Sequence, residues 1–99
     1  MLLERAELLA REGAETAMLE MMTDRGVSLL TAVPGVRAVT LGRGVENPDK
    51  FLLLVEWESL AAHEAFSRSP VSDVFRALIT PLSRGGAMEH FEMGEPATA

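Results

Sequence analysis

Ninety-nine residues make one domain, large enough for a single layer of helices on a single sheet. Hydrophobic residues are 47% of the chain against 24% charged, which excludes a disordered chain except at its ends, and no apolar run approaches the roughly 18 residues of a membrane span. The formal net charge of -6 and nine scattered Lys and Arg exclude nucleic acid as a partner, and the absence of cysteine removes both a disulfide framework and any thiolate chemistry.

The start, Met1-Leu2-Leu3-Glu4-Arg5, lacks a basic region followed by an apolar core, so the expected location is the cytoplasm. From Leu2 to Ala10 the apolar residues alternate well enough for a strand, although Leu, Glu and Ala would equally suit a helix. Gly13 breaks this element. Ala14, Ala17, Met18, Met21 and Met22 then recur at helical spacing and the pattern resumes at Leu29 and Val33, predicting one amphipathic helix over about 14–31. Arg25 lands where that stripe should be apolar. A long stem lying over the core with its head in water explains it, and an anion-binding or subunit-contact arginine is the alternative.

Pro34-Gly35 is a turn, and the β-branched run Val36 to Gly44 reads as a second strand. Val45 to Lys50 is loop chemistry, so the second and third strands form an antiparallel hairpin. Phe51, Leu53, Val55 and Trp57 alternate with Leu52, Leu54, Glu56 and Glu58, which makes the third strand apolar on both faces along its first half. Such a strand must be covered on both sides. Ser59 and Ser69-Pro70 each offer a helix start, the first opening a helix with Ala62, Ala65 and Phe66 on one stripe. The second opens a helix with Val71, Val74, Phe75 and Leu78 at i, i+3, i+4 and i+7, closed by Pro81. Gly85-Gly86 is expected to reset the backbone before a last strand, Ala87 to Met93, with Met88 and His90 on one face and Glu89 and Phe91 on the other. The expected domain is 1–94, followed by a frayed tail over 95–99.

The order β-α-β-β-α-(α)-β predicts an α+β fold, the ferredoxin-like βαββαβ sandwich, with a four-stranded antiparallel sheet carrying helices on one face. The other face needs its own cover, and a second copy related by a two-fold axis supplies one. A homodimer is therefore expected.

Read together, several segments resemble the antibiotic biosynthesis monooxygenase (ABM) domain family of the dimeric α+β barrel superfamily. They are Ala6-Glu7-Leu8 running to Gly13, the long helix ending at Pro34-Gly35, Asn47-Pro48-Asp49-Lys50-Phe51, Val55-Glu56-Trp57-Glu58-Ser59, Ser69-Pro70 with Phe75, and Glu89-His90-Phe91-Glu92. The resemblance implies a dimeric barrel with a ligand cleft between sheet and helices in each subunit. It further implies oxidation of an aromatic polyketide or quinol-type molecule without any cofactor. The haem-degrading branch is similar in fold, but it carries an Asn on the first strand, a Trp on a helix and a His soon after the Phe of the third helix. This chain has none of these, and it lacks the Tyr described around the substrate in the monooxygenase branch. A non-catalytic dimeric ligand-binding domain, or an isomerase or cyclase of the same superfamily, therefore stays open beside the monooxygenase.

Within such a cleft the candidate acid–base residues are the two histidines, His90 first and His63 second, since imidazole titrates near neutrality. A partly exposed edge histidine is the bland alternative for His90, and a surface histidine for His63. Trp57, where the third strand gives way to a helix, could stack on a flat ligand or simply plug that corner of the core. Phe66, Phe75, Met18 and Met22 are candidates for the apolar wall against the substrate, although methionines more often fill irregular cores. No metal is expected, because no carboxylate or Cys at ligand spacing completes a set with the histidines.

Overall fold

The alternation along the strands decides which face the helices take. The computed structural model describes residues 1–99, with β1 (Leu2–Ala10), β2 (Val36–Arg43), β3 (Lys50–Trp57) and β4 (Ser83–Glu92) in one antiparallel sheet of order β2-β3-β1-β4. Every second residue of β3, namely Phe51, Leu53, Val55 and Trp57, is at most 2% exposed, and this row meets Ala6 and Ala10 of β1 and Met18, Met22 and Leu30 of the first helix in one core. Burying such side chains stabilises the fold by about 1.5–3 kcal/mol each. The intervening residues Leu52 and Leu54 lie on the opposite face with Leu3 and Leu9, only half-buried. The expected ferredoxin-like fold is therefore present, with β3 and β1 central.

The first helix begins at Glu15 and runs as α1 (Glu15–Met21), a π-helical turn (Met22–Gly26) and α2 (Val27–Thr31), where the sequence pattern predicted uninterrupted α-helix. The wide turn shifts the inward position from Arg25 to Gly26. This accounts for the arginine on the predicted stripe, because Arg25 is exposed and Met18, Met22, Gly26 and Leu30 face the core. Gly26 leaves room for the Met22 side chain, since a Cβ would stand 2.8 Å from Met22 Sδ and 3.6 Å from Phe75 Cε1.

Two serine caps start the remaining helices as their sequences predict. Ser59 Oγ accepts from Ala62 N at 3.1 Å ahead of α3 (Leu60–Ser67), and Ser69 Oγ accepts from Ser72 N at 3.3 Å ahead of α4 (Pro70–Ile79), with Pro70 at the first helical position. The predicted inward stripe of α4 is only partly inward. Val71 and Val74 are 40% and 48% exposed, whereas Ser72 is buried, its Oγ accepting from Arg76 Nη2 at 2.8 Å. The Ser72 side of the helix thus faces the interior and the valines face out.

Gly85 and Gly86 do not end one element and begin another. Strand β4 passes through both, paired with Leu9 and Leu8 of β1, and the irregularity falls one step later, between Leu9 and Ala10. Gly86 keeps the ladder closed at this point, since a Cβ would lie 2.4 Å from Glu7 O. At the irregularity Arg84 turns outward to donate to Asp49 Oδ2 at 2.6 Å and to Ala10 O at 3.2 Å.

Candidate functional site

Strand β1 places Leu2, Glu4, Ala6, Leu8 and Ala10 on its helix-facing side, and Glu4 is the one acidic residue in that row. It is 8% exposed. A carboxyl so buried requires partners. The first is Trp57, whose Nε1 donates to Glu4 Oε1 at 2.9 Å. The second approaches from α3, where the Ser59 cap sets the helix so that His63, its side chain 12% exposed, stands edge-on to the Trp57 indole at 5.2 Å between centroids. The third is His90 of β4, directly opposite Glu4 in the β1–β4 register, with its ring centroid 4.3 Å from that of His63.

The electrostatics follow from this crowding. Burial holds the His63 imidazole below the ordinary histidine range; Glu4 pulls the other way and His90 adds to the lowering. His63 Nε2 lies 3.6 Å from Glu4 Oε1, too far for a hydrogen bond. The lowered value favours the neutral ring, so the contact is one of carboxyl against imidazole edge without a hydrogen bond. His90 Nε2 is buried with no hydrogen-bond partner.

A cavity of about 180 Å³ reaches the cluster, lined among others by Glu4, His63, Phe66, Phe75, Arg76 and Met88. A second cavity of about 310 Å³ shares Glu4, Phe75, Arg76 and Met88 and continues between α4 and the β1–β4 pair, past Leu8, Ile79 and Ala87. The two together form an apolar cleft with Glu4 and His63 at its inner end and the Arg76 guanidinium on its wall.

Of the residues singled out from sequence, His63, His90 and Trp57 are brought together, and Phe66 and Phe75 line the cleft. Trp57 does not stack on a ligand at the cleft mouth; it is 1% exposed, lines no cavity, and plugs the core while holding Glu4. Met18 and Met22 are likewise not cleft wall, since both are fully buried under the first helix. His63 is no surface residue. The expectation that no carboxylate completes a ligand set with the histidines is also overturned, because one ligand atom each from Glu4, His63 and His90 lie within 4.8 Å of one another. Spacing along the chain conceals this set, which forms only when β1 pairs with β4. The signal that could have found Glu4 was its place in an otherwise apolar row.

Comparison with known proteins bears on the same chain. No curated protein matches the sequence. Among solved structures, a Bordetella bronchiseptica protein provisionally called an antibiotic biosynthesis monooxygenase is 25% identical with a TM-score of 0.84, over 95% of this chain and 97% of that one. A Mycobacterium tuberculosis protein is 20% identical with a TM-score of 0.79, over 98% of both chains. A Nitrosomonas europaea protein of unknown function is 18% identical with a TM-score of 0.80, over 99% of this chain and 93% of that one. The last two likenesses concern the fold alone. Residues 1–78, which hold Glu4, Trp57 and His63, match the model of the family described as antibiotic biosynthesis monooxygenase, and the chain belongs to that family.

Proposed function

We propose that the protein is a monooxygenase that oxidises an aromatic polyketide or quinol-type molecule in the cleft, with no organic cofactor. The observation that carries this reading is His63 at the inner end of an apolar cleft, with the His90 ring 4.3 Å from it and the buried His90 Nε2 without a partner. A flat substrate lies between Phe66, Phe75 and Met88, with its acidic hydrogen toward His63. One imidazole takes that proton, which leaves a ring-stabilised anion rich enough in electrons to react with dioxygen. At a ring methylene the balance closes without a reductant: one oxygen atom becomes the new carbonyl and the other leaves with the two methylene hydrogens as water.

The half-buried Leu3, Leu9, Leu52 and Leu54 on the helix-free face support a homodimer closed face to face, as family membership also suggests. The same acid–base cluster supports an isomerase or cyclase as a second reading, favoured by the absence of any Tyr in the chain. Oxygen uptake with a panel of anthrones and hydroquinols tests the two. Stoichiometric uptake coupled to product formation is expected; solvent deuterium entering a panel compound with no oxygen consumed would favour the isomerase.

A further inference from the structure

The structure assigns a second capacity to the same cluster: we propose that Glu4, His63 and His90 bind one divalent first-row transition metal of the zinc class. The proposal uses the residues of the oxygenation reading without resting on its chemistry: an imidazole nitrogen that binds the metal cannot also take the substrate's proton, so the two are alternative states of one cluster.

Two imidazoles and one carboxylate suit zinc, cobalt, nickel or iron(II), whereas magnesium and calcium take oxygen donors almost throughout. The distances fit a preformed site. Ligand atoms around a tetrahedral zinc with bonds of roughly 2.0–2.1 Å stand about 3.3 Å apart, and here Glu4 Oε1 and His63 Nε2 are 3.6 Å apart with all three ligand atoms inside 4.8 Å. Side-chain shifts of less than about an ångström close the set.

A plain hydrogen-bonded network explains the arrangement less well. Such a network would bring Glu4 and His63 to hydrogen-bonding distance and give His90 Nε2 a partner, and neither is the case. A cation drawn to one carboxylate and two imidazole lone pairs satisfies every group.

Supporting parts are in place around it. Trp57 Nε1 fixes the carboxylate by its bond to Oε1, as outer partners commonly orient metal-binding carboxylates. The cavity of about 180 Å³ that reaches Glu4 and His63 supplies both an entry path and room for a water or substrate oxygen in a fourth position. Three protein ligands with a fourth position open is the arrangement of reactive rather than purely structural zinc.

The experiment titrates the metal-free protein with ZnCl₂ by calorimetry and with CoCl₂ by visible absorption, without any substrate. One zinc per chain is expected, with a melting temperature raised by several degrees at saturation and cobalt ligand-field bands that zinc abolishes. Glu4→Gln, His63→Gln and His90→Gln should each weaken binding by on the order of 10²-fold or more, and Trp57→Phe by about 10–100-fold through the carboxylate it holds. Glu89→Gln, on an exposed side chain of the opposite sheet face, should bind as the parent does. Absence of stoichiometric binding, or binding equal in parent and Glu4→Gln, overturns the site. Should a histidine variant fail to fold, the cobalt spectrum of the unaltered protein decides, and its silence is equally fatal. A failed substrate panel leaves these readouts untouched, and failed metal binding leaves the panel untouched.

Discussion

Trp57 and Glu4 stand 53 positions apart in the chain yet share one buried hydrogen bond, Nε1 to Oε1 at 2.9 Å. The pair joins the largest buried side chain of β3 to the only carboxyl on the inner face of β1. Trp57→Phe removes the donor and leaves Glu4 buried without it, and the smaller ring opens a gap beside Val55 and Phe66. A loss of about 2–4 kcal/mol in unfolding free energy is expected from denaturant titration. Glu4→Gln, which keeps an acceptor for the indole, should cost less than half as much. Equal losses in the two variants would mean that packing alone, and not the bond, accounts for the tryptophan.

A glycine in the turn before β2 packs against the helix that carries His63. Gly35 has φ +88, in the left-handed region, and a Cβ there would lie 2.5 Å from Ala62 Cβ, on the residue just before His63. Its carbonyl also accepts from Glu58 N at 2.7 Å, tying the β2 turn to the end of β3. Gly35→Ala combines backbone strain with a contact that cannot be relieved by a flexible side chain, so a cost of about 2–4 kcal/mol is expected in thermal or chemical unfolding. Ala62→Gly on the same background should recover part of it. Without such recovery, the strain is in the turn alone.

The fold was legible because β3 states its own position: a strand apolar on both faces has to be central and covered, and the capped helix starts at Ser59 and Ser69 leave little freedom around it. What escaped was local geometry of two kinds. The π-helical turn at Met22–Gly26 makes a misplaced Arg25 look like a functional signal, since a period of 3.6 cannot register an extra residue per turn. The carboxyl of the site escaped because Glu4 and His90 are neighbours only through the β1–β4 register, across 86 positions of chain. The pairing of distant strands, not spacing, makes the cluster.

Asp49 and Arg84 supply a pH dependence that belongs to the fold and not to the site. The Arg84 hydrogen bond holds the Asp49 carboxyl below its ordinary value of 3.8. A carboxyl lowered in the folded state contributes stability above its unfolded pKa, and the contribution is lost as pH falls through the folded value. The double-mutant cycle of Asp49→Asn and Arg84→Met should therefore show favourable coupling at pH 7 that fades as pH falls below the ordinary carboxylate range. Because the pair is exposed, 0.5 M NaCl should shrink the coupling at neutral pH as well. Coupling that stays constant as the pH is lowered through the acid range would show that the contact does not depend on the carboxylate charge.

The helix-free face of the sheet makes assembly testable with one substitution. Leu54 lies there between Arg5 of β1 and Thr40 of β2, half-buried, with Leu52 and Leu3 near it. Light scattering at micromolar concentration should give twice the chain mass of 10.7 kDa for the parent protein. Leu54→Lys should give the monomer mass, since a second cation set opposite Arg5 and buried in the interface without an acidic residue directly across from it costs several kcal/mol. A parent protein that is monomeric at that concentration removes the face-to-face barrel.

The histidines separate chemistry from architecture. His90 presents an unpartnered buried nitrogen, whereas His63 packs edge-on against Trp57 and so carries part of the core's contact with α3. His90→Gln keeps a polar side chain of similar reach and removes the proton acceptor, so turnover of a confirmed substrate should fall by on the order of 10²–10⁴-fold with little change in melting temperature. His63→Gln should lower both, because the indole loses its aromatic neighbour as well. The fall at His90 should appear in kcat more than in KM, since a general base acts in the transition state and contributes little to substrate binding. If His90→Gln retains full turnover while His63→Gln does not, His63 is the base and His90 positions it; if both retain it, the histidines take no part in proton transfer, and the oxygenation reading loses the observation that carries it.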